Sequence, residues 1–582
     1  MTTTPYPDGS RIAAELAGVD MTSKVTAGAR RGAPPLARLY LMAGLIVIAA
    51  HAQARSPRNL VPSCDAAGIG AVTLRADGVK PTITSVSTGK AGNVTYCLVK
   101  VLVPKAINIW VGLPMGGAWN GRWQSEGGGV YAGAANVPAS LRDGYAAATT
   151  DTGHSTNALS GAFGMLEPGK PNVELQTDFA TRSEHMMAVI GKQLVKQFYG
   201  VNAKYSYWNG CSTGGRQGLR MAQDHPGDYD GILAGAPAIH WDRFQAAMLW
   251  YPVVAQRDNG GPVGGGDRNA MSGKYRLATD HAVAACDMLD GVKDGLLTDP
   301  RKCHYSAAAD ATITRSSCTA SDASCLTPTE ATAIDDMWLG PVTCAKGEKV
   351  CKAPDVASRD LGGKGAKRMW YGIPRGADLG SLAGAAPFPV VPEQSRYWVY
   401  FDPTWDWKSV NADNFLQYFK DNVTKVGPMM ATDNPDLSAF RKRGGKLVIW
   451  HGWADQLIDA MGSVDYYQRV VDRMGGLKKT QEFARLFMAP GVGHCGGGNG
   501  PAPQHQFDAV VNWVEKGIAP DTITAARVAA PAGGFGFGAL PGGAPPASPM
   551  TRPLCPYPAE ARWNGKGPTD DAASFSCAAP GK

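Results

Sequence analysis

The 582-residue chain is notable first for what it lacks. The apolar run "LYLMAGLIVIAA" (39–50) stops at about a dozen residues, short of the ~20 that a membrane-spanning helix needs. No long Lys/Arg run occurs and the formal charge is only +7, so nucleic acid is excluded as an expected partner. Neither H-E-x-x-H nor C-x-x-C is present, which removes the usual zinc patterns. No internal repeat is evident, so a solenoid is excluded.

What is present starts with an export signal. Arg30, Arg31 and Arg38 precede the apolar run, and "AQA" (52–54) follows it as a small-x-small cleavage site. That order predicts a secretory signal peptide cleaved near Ala54 and an exported, periplasmic or extracellular product with no membrane association after cleavage. Residues 1–54 are therefore assigned to an N-terminal extension and signal peptide, with Met21 or a later residue as the expected start. Twelve cysteines all lie after Ala54, as an oxidising compartment favours, and disulfides are expected. Cys286 and Cys303, Cys318 and Cys325, Cys344 and Cys351, and Cys555 and Cys577 are close in sequence.

The pattern of elements predicts an α/β fold. "CLVKVLVP" (97–104) and "NIWVGLP" (108–114) read as a hairpin, and "YAAATTDTG" (145–153) as a buried strand. A helix is expected over 178–199, a strand at "KYSYWNG" (204–210), a helix at 215–226 and a strand at "YDGILAGAP" (229–237). This strand–helix alternation is that of a parallel sheet. It breaks over 239–433, a block rich in Gly, Pro, Trp and Cys. It returns with strands at 444–455 and 484–494 and helices near 462–474 and 504–516. The expected organisation is thus a sheet domain in two parts, 55–238 and 434–582, with a large insert at 239–433. Residues 529–549 are a low-complexity loop.

"GCSTGGR" (210–216) fits G-x-S-x-G between a strand and a helix. A serine on such a sharp turn is exposed, and the helix N-terminus offers free N–H groups to a developing oxyanion. Ser212 is the candidate nucleophile. It needs a base and an orienter, which in this architecture follow in the order Ser, Asp, His. Asp455 and His494 are read at the carboxyl ends of two late strands, where an open α/β sheet builds its site. Asp459 and Asp465 are rival orienters; His451, read as structural, and His505 are rival bases. Cys211 precedes Ser212 and Cys495 follows His494. A bond between them would hold the base beside the nucleophile, because disulfide geometry keeps the Cα atoms within about 7 Å; pairing of both elsewhere is the alternative.

"GCSTGGR", "HGWAD" and "GVGHC", with "WNGR" (119–122), "EGGG" (126–129), "TDTGH" (150–154), "YDGILAGAP" and "TRPLCPYP" (551–558), resemble the tannase/feruloyl esterase family of α/β-hydrolases over nearly the whole mature chain. The resemblance implies Ser212, His494 and Asp455 as nucleophile, base and orienter, and a bond between Cys211 and Cys495. It implies an oxyanion hole from the N–H of Thr213 and that of Gly129 or Val130; Val130 stands where family members can carry glycine. It also implies Cys64–Cys97, Cys286–Cys303, Cys318–Cys325 and Cys555–Cys577, leaving Cys344 and Cys351 to pair locally.

"CDMLDGVKDGLLTDPRKC" (286–303) gathers Asp287, Asp290 and Asp294. Carboxylates with backbone carbonyls suit Ca²⁺, although the EF-hand spacing is absent and a solvated acidic turn reads equally well. The resemblance implies a structural Ca²⁺ held by Asp287, Asp290 and Asp294 with the carbonyls of Val292 and Leu296.

The function so implied is hydrolysis of aromatic, phenolic-acid esters such as feruloyl or galloyl esters, with the insert as a lid over the acyl group. Trp241, Phe244, Trp250, Trp370, Trp398, Phe401, Trp405 and Trp407 are the aromatic candidates for stacking on substrate. The family also includes mono(2-hydroxyethyl) terephthalate hydrolases, which hold a free carboxylate with a lid arginine; Arg396 is the candidate here. The alternative of another class is a non-catalytic, calcium-stabilised secreted binding protein.

Overall fold

The computed structural model describes residues 62–131, 133–154, 157–343, 367–527 and 548–579. The signal segment, Cys344, Cys351 and most of the low-complexity loop lie outside the described residues.

Among them, nine strands form one sheet. In chain order they are β1 (Thr82–Ala91), β2 (Val94–Val103), β3 (Ile107–Pro114), β4 (Arg122–Glu126), β5 (Ala146–Thr150), β6 (Tyr205–Cys211), β7 (Gly231–Gly235), β8 (Lys446–Gly452) and β9 (Ala484–Ala489). Their spatial order is β1-β2-β3-β5-β4-β6-β7-β8-β9. The contacts from β1 to β5 are antiparallel, and every contact from β5 through β9 is parallel. The sequences fit these places. β1, "TITSVSTGKA", is polar and partly exposed, as suits an edge. β7, "GILAG", is wholly buried, as expected of a central parallel strand covered on both faces. This is an α/β-hydrolase sheet.

Helices α1 (Ser183–Tyr199) and α2 (Thr213–Asp224) follow β5 and β6. α1 buries Met186, Met187, Ile190, Leu194 and Phe198 at helical spacing and ends on Gly200 in the left-handed conformation. The helix expected over 178–199 begins earlier, at Val173, and carries one wide turn at Asp178–Arg182.

Between β7 and β8 the chain leaves the sheet. It enters α3 (Trp241–Met248) and then further helices and loops around a core that includes Trp250, Ile334, Met337 and Phe415. Tyr131, Phe179, Ala454 and Ile458 also belong to that core. The insert is therefore packed on the sheet-domain loops that carry these residues. After β8 come α4 (Met461–Arg473), β9 and α5 (Gln506–Lys516). The late strands are shorter than expected: β8 ends at Gly452 and β9 at Ala489. Asp455 and His494 consequently lie on the loops beyond them.

Five disulfides close the described chain: Cys64–Cys97, Cys211–Cys495, Cys286–Cys303, Cys318–Cys325 and Cys555–Cys577. No helix among the described residues is long and apolar enough to cross a membrane.

Candidate active site

Ser212 stands between β6 and α2 at φ 63° and ψ −123°, a strained conformation for a non-glycine residue. The glycines around it allow a close backbone approach. A Cβ on Gly127 would lie 2.5 Å from the Gly214 Cα, so the "EGGG" loop and the serine turn touch main chain to main chain. The Gly214 N–H donates to the Gly128 carbonyl at 2.9 Å.

Val130 follows this loop at φ 55°. A β-branched residue there is an outlier, and its neighbours hold it. Thr213 Oγ1 donates to the Val130 carbonyl at 2.7 Å. Gln217 Oε1 accepts the Gly128 N–H at 3.0 Å, and Gln217 Nε2 donates to the buried Glu184. Arg216 lies near Glu184 and is fully buried, with its guanidinium donating to the carbonyls of Phe179 and Ala180. In "TDTGH", His154 stacks on Phe163 and its Nε2 meets the Tyr131 carbonyl. These contacts leave the N–H groups of Thr213 and Val130 without an acceptor among the described residues.

His494 is placed through three connections. Its Nδ1 meets Asp455 Oδ2 at 2.8 Å, which leaves Nε2 for a reacting hydroxyl. Its backbone N–H donates to Gln456 Oε1 at 3.0 Å. Cys495, at φ 58°, bonds to Cys211 with a Cα separation of 6.0 Å. The disulfide joins the immediate neighbours of Ser212 and His494.

Asp455 is buried and fully engaged. Its Oδ1 accepts the N–H groups of Leu457 (2.8 Å) and Ile458 (2.9 Å). Its Oδ2 is shared between His494 and His451 Nε2, at 3.0 Å from the latter. Burial pushes the carboxyl up, but the His494 charge and the hydrogen bonds of both imidazoles outweigh it and hold the group below the usual carboxylate range. His451, read from sequence as structural, thus touches the Asp455 carboxylate, with its Nδ1 on Ser463 Oγ at 2.8 Å. The other rivals are engaged elsewhere. Asp459 accepts the Met461 N–H at the start of α4, Asp465 pairs with Arg469, and His505 is exposed beside Asp508.

Ser212, His494, Thr213, Gly129, Val130 and both cysteines line one cavity of about 190 Å³. Its remaining wall is almost entirely apolar, with Trp241, Phe244, Met248, Phe388, Val390 and Leu457 among the lining. Among the described residues, no lysine or arginine lines it. Of the eight aromatic candidates, Trp241 and Phe244 reach this cavity. Trp398 is instead buried among Tyr131, Phe163 and Phe179, with its Nε1 on the Gly161 carbonyl. Arg396 is also elsewhere: its Nε donates to the Trp405 carbonyl and Nη1 lies 3.6 Å from Glu393. Trp370 and Trp407 line other clefts. The cleft at Trp407 is larger, about 550 Å³, but contains no nucleophile–base pair. Sequence reading missed Gln217, Glu184 and Gln456, which carry no local signature and act only by contact in the fold.

The family model for "Tannase and feruloyl esterase" matches residues 92–578. The chain belongs to the tannase and feruloyl esterase family. It is a carboxylic ester hydrolase. It is 35% identical over 502 residues to a probable feruloyl esterase of Arthroderma benhamiae, covering 84% of this chain and 85% of the relative. It is 31% identical over 519 residues to the mono(2-hydroxyethyl) terephthalate hydrolase of Piscinibacter sakaiensis, covering 80% and 81%. Among solved structures it is similar to feruloyl esterase B from Aspergillus oryzae, at a TM-score of 0.70 and 25% identity over 86% of this chain and 97% of the other.

The acidic loop of this esterase lies in the insert. Asp287 Oδ1 accepts the N–H groups of Asp294 and Gly295, Asp290 Oδ1 that of Val292, and Asp294 Oδ1 that of Leu296. Asp294 Oδ2 meets Arg552 of "TRPLCPYP" at 2.5 Å. Burial pushes the Asp294 carboxyl up to about 6 against the pull of Arg552, and Asp290 and Asp287 push the same way. Three carboxylates with one arginine leave an excess of negative charge, so the donor set fits a hard dication in kind. Side-chain trios with donor atoms within 4.8 Å of one another occur elsewhere, at His185/His225/Asp228 and Cys318/Asp322/Cys325. The sulfurs of the second trio are bonded to each other.

Proposed function

We propose that this enzyme is exported and hydrolyses esters of aromatic, phenolic acids through an acyl-enzyme on Ser212. One observation carries the reading: the Asp455–His494 pair and the strained Ser212 open on the same apolar cavity, with a disulfide joining their neighbours. Ser212 Oγ attacks the ester carbonyl carbon as His494 Nε2 takes its proton. The tetrahedral oxyanion is stabilised by the N–H of Thr213 and that of Val130 or Gly129. The C–O bond to the alcohol breaks, and His494 returns the proton to the leaving oxygen. Water, deprotonated by His494, then cleaves the acyl-enzyme and restores Ser212. Asp455 holds the imidazole tautomer and offsets the charge that His494 gains.

The insert acts as the lid and supplies the acyl wall through α3. The apolar lining suits an aromatic ring, and among the described residues of the wall no lysine or arginine offers a hold for the free carboxylate of a terephthalate monoester. Asp287, Asp290 and Asp294, with the carbonyls of Val292 and Leu296, would hold Ca²⁺. The ion would brace the lid loop and take no part in ester cleavage.

The test is turnover of methyl ferulate, methyl gallate and mono(2-hydroxyethyl) terephthalate by wild type and Ser212→Ala. Turnover of the phenolic esters lost in the variant is expected. Equal rates for the two proteins would refute the acyl-enzyme reading, and a preference for the terephthalate monoester would overturn the acyl assignment.

A further inference from the structure

The pocket-facing stripe of α3 carries Trp241, Phe244, Gln245 and Met248, at i, i+3, i+4 and i+7. Three of the four are apolar, as a hydrophobic ring-binding wall requires. The fourth is a carboxamide that is only 3% exposed, and its Oε1 has no hydrogen-bond partner among the described residues. A buried carbonyl oxygen without a donor is unfavourable. The same part of the fold satisfies another buried glutamine. Gln394 Oε1 accepts Trp241 Nε1 at 2.7 Å, and its Nε2 donates to Asn422 Oδ1 at 2.9 Å. Among the described side chains that line the reaction cavity, Gln245 is the one with a buried polar atom lacking a partner; Asp242 Oδ1, on the same helix but off the cavity, also lacks one.

We infer that Gln245 is a specificity-determining residue whose Oε1 accepts a hydrogen bond from a ring hydroxyl of the acyl group. The inference rests on the esterase reading above and narrows it. The cavity selects acyl rings that carry a free phenolic O–H. A ring ether presents no donor, and a ring carboxylate would set negative charge against a carbonyl oxygen. A site built to pair a substrate hydroxyl rejects the analogue lacking it, because the buried acceptor is then left unpaired.

The experiment compares methyl 4-hydroxycinnamate, methyl 4-methoxycinnamate and methyl cinnamate as substrates of wild type, Gln245→Leu and Gln245→Met. Wild type is expected to favour the hydroxylated ester over both others by about tenfold or more in kcat/KM. In either variant the three values should converge, with the loss falling on the hydroxylated ester. A hydroxyl preference that survives both substitutions would overturn the inference. Competitive inhibition of wild type provides an arm that needs no folded variant. 4-Hydroxycinnamate should inhibit at lower concentration than 4-methoxycinnamate, and equal potency would count against the hydroxyl contact. Ser212-dependent hydrolysis without a hydroxyl preference removes this inference alone. Absence of Ser212-dependent hydrolysis of every ester removes the esterase reading with it.

Discussion

Two carboxylate clusters in this esterase use the same local device with opposite electrostatic outcomes. Asp455 and Asp287 each accept two backbone N–H groups on one oxygen. At Asp455 the second oxygen meets two imidazoles, and the carboxyl is held below its usual range. In the acidic loop Arg552 pairs with Asp294, while Asp287 and Asp290 accept N–H and O–H groups, and Asp294 is still pushed up to about 6. The first cluster is complete with the chain's own side chains. The second is short of positive charge. Each is closed by a disulfide, but Cys211–Cys495 spans 284 residues and Cys286–Cys303 spans 17. The long bond fixes two distant segments against each other, whereas the short one shapes a loop.

The largest expected effect separates the two clusters outright. Asp455→Asn should lower kcat by ~10⁴, as loss of the orienting carboxylate does in such triads, while Asp290→Asn leaves kcat at 25 °C nearly unchanged. Similar losses from both in steady-state assays would break the distinction. Next come the disulfides. Cys211→Ala with Cys495→Ala should cost about 10²-fold in kcat, because a base displaced by about 1 Å loses that much. Cys286→Ala with Cys303→Ala should cost ~3 kcal/mol of stability, measured by denaturant unfolding, with little change in turnover. Unchanged turnover in the first pair would mean that the strap is dispensable.

Chelation addresses the charge deficit. Treatment with EDTA should lower the melting temperature, and added Ca²⁺ should restore it, because an ion bound only by the folded state stabilises that state. A melting curve indifferent to both would mean that Arg552 alone suffices.

A last expectation concerns the loop ending at Tyr131, whose carbonyl meets His154. Burial lowers the His154 pKa to about 4, against about 6.5 in an unfolded chain. The unfolded state binds this proton first. Stability from the neutral imidazole is therefore full above about pH 6.5 and is lost as pH falls toward 4, by ~3 kcal/mol in all. His154→Gln should flatten that stretch of the stability–pH curve. An unaltered curve would show that the ring titrates normally.

Much of the catalytic end was legible because it is encoded locally. G-x-S-x-G between a strand and a helix needs only neighbouring residues to define a sharp turn, and Ser212 indeed sits at positive φ. The order of Asp455 and His494 followed from strand alternation, although both lie beyond the strand ends. His451 is buried and off the cavity, as a structural histidine would be, but its contact with Asp455 depends on how the 452–458 loop folds back and has no local signature. That Arg396 and Trp398 lie off the cavity was not legible, because the aromatic and charged residues of the insert carry no periodic signal that separates cavity wall from core.

The sequence alone determined the turn at Ser212, the parallel part of the sheet and the cysteines flanking Ser212 and His494, because each depends on residue type and short spacing. Only the tertiary structure decided which insert residues face the cavity, that Gln217 and Glu184 support the Gly128–Val130 loop, and that Gln245 Oε1 lacks a partner among the described residues while Gln394 has two. Those facts depend on segments far apart in the chain meeting at distances of a few ångströms, and no local pattern specifies such meetings.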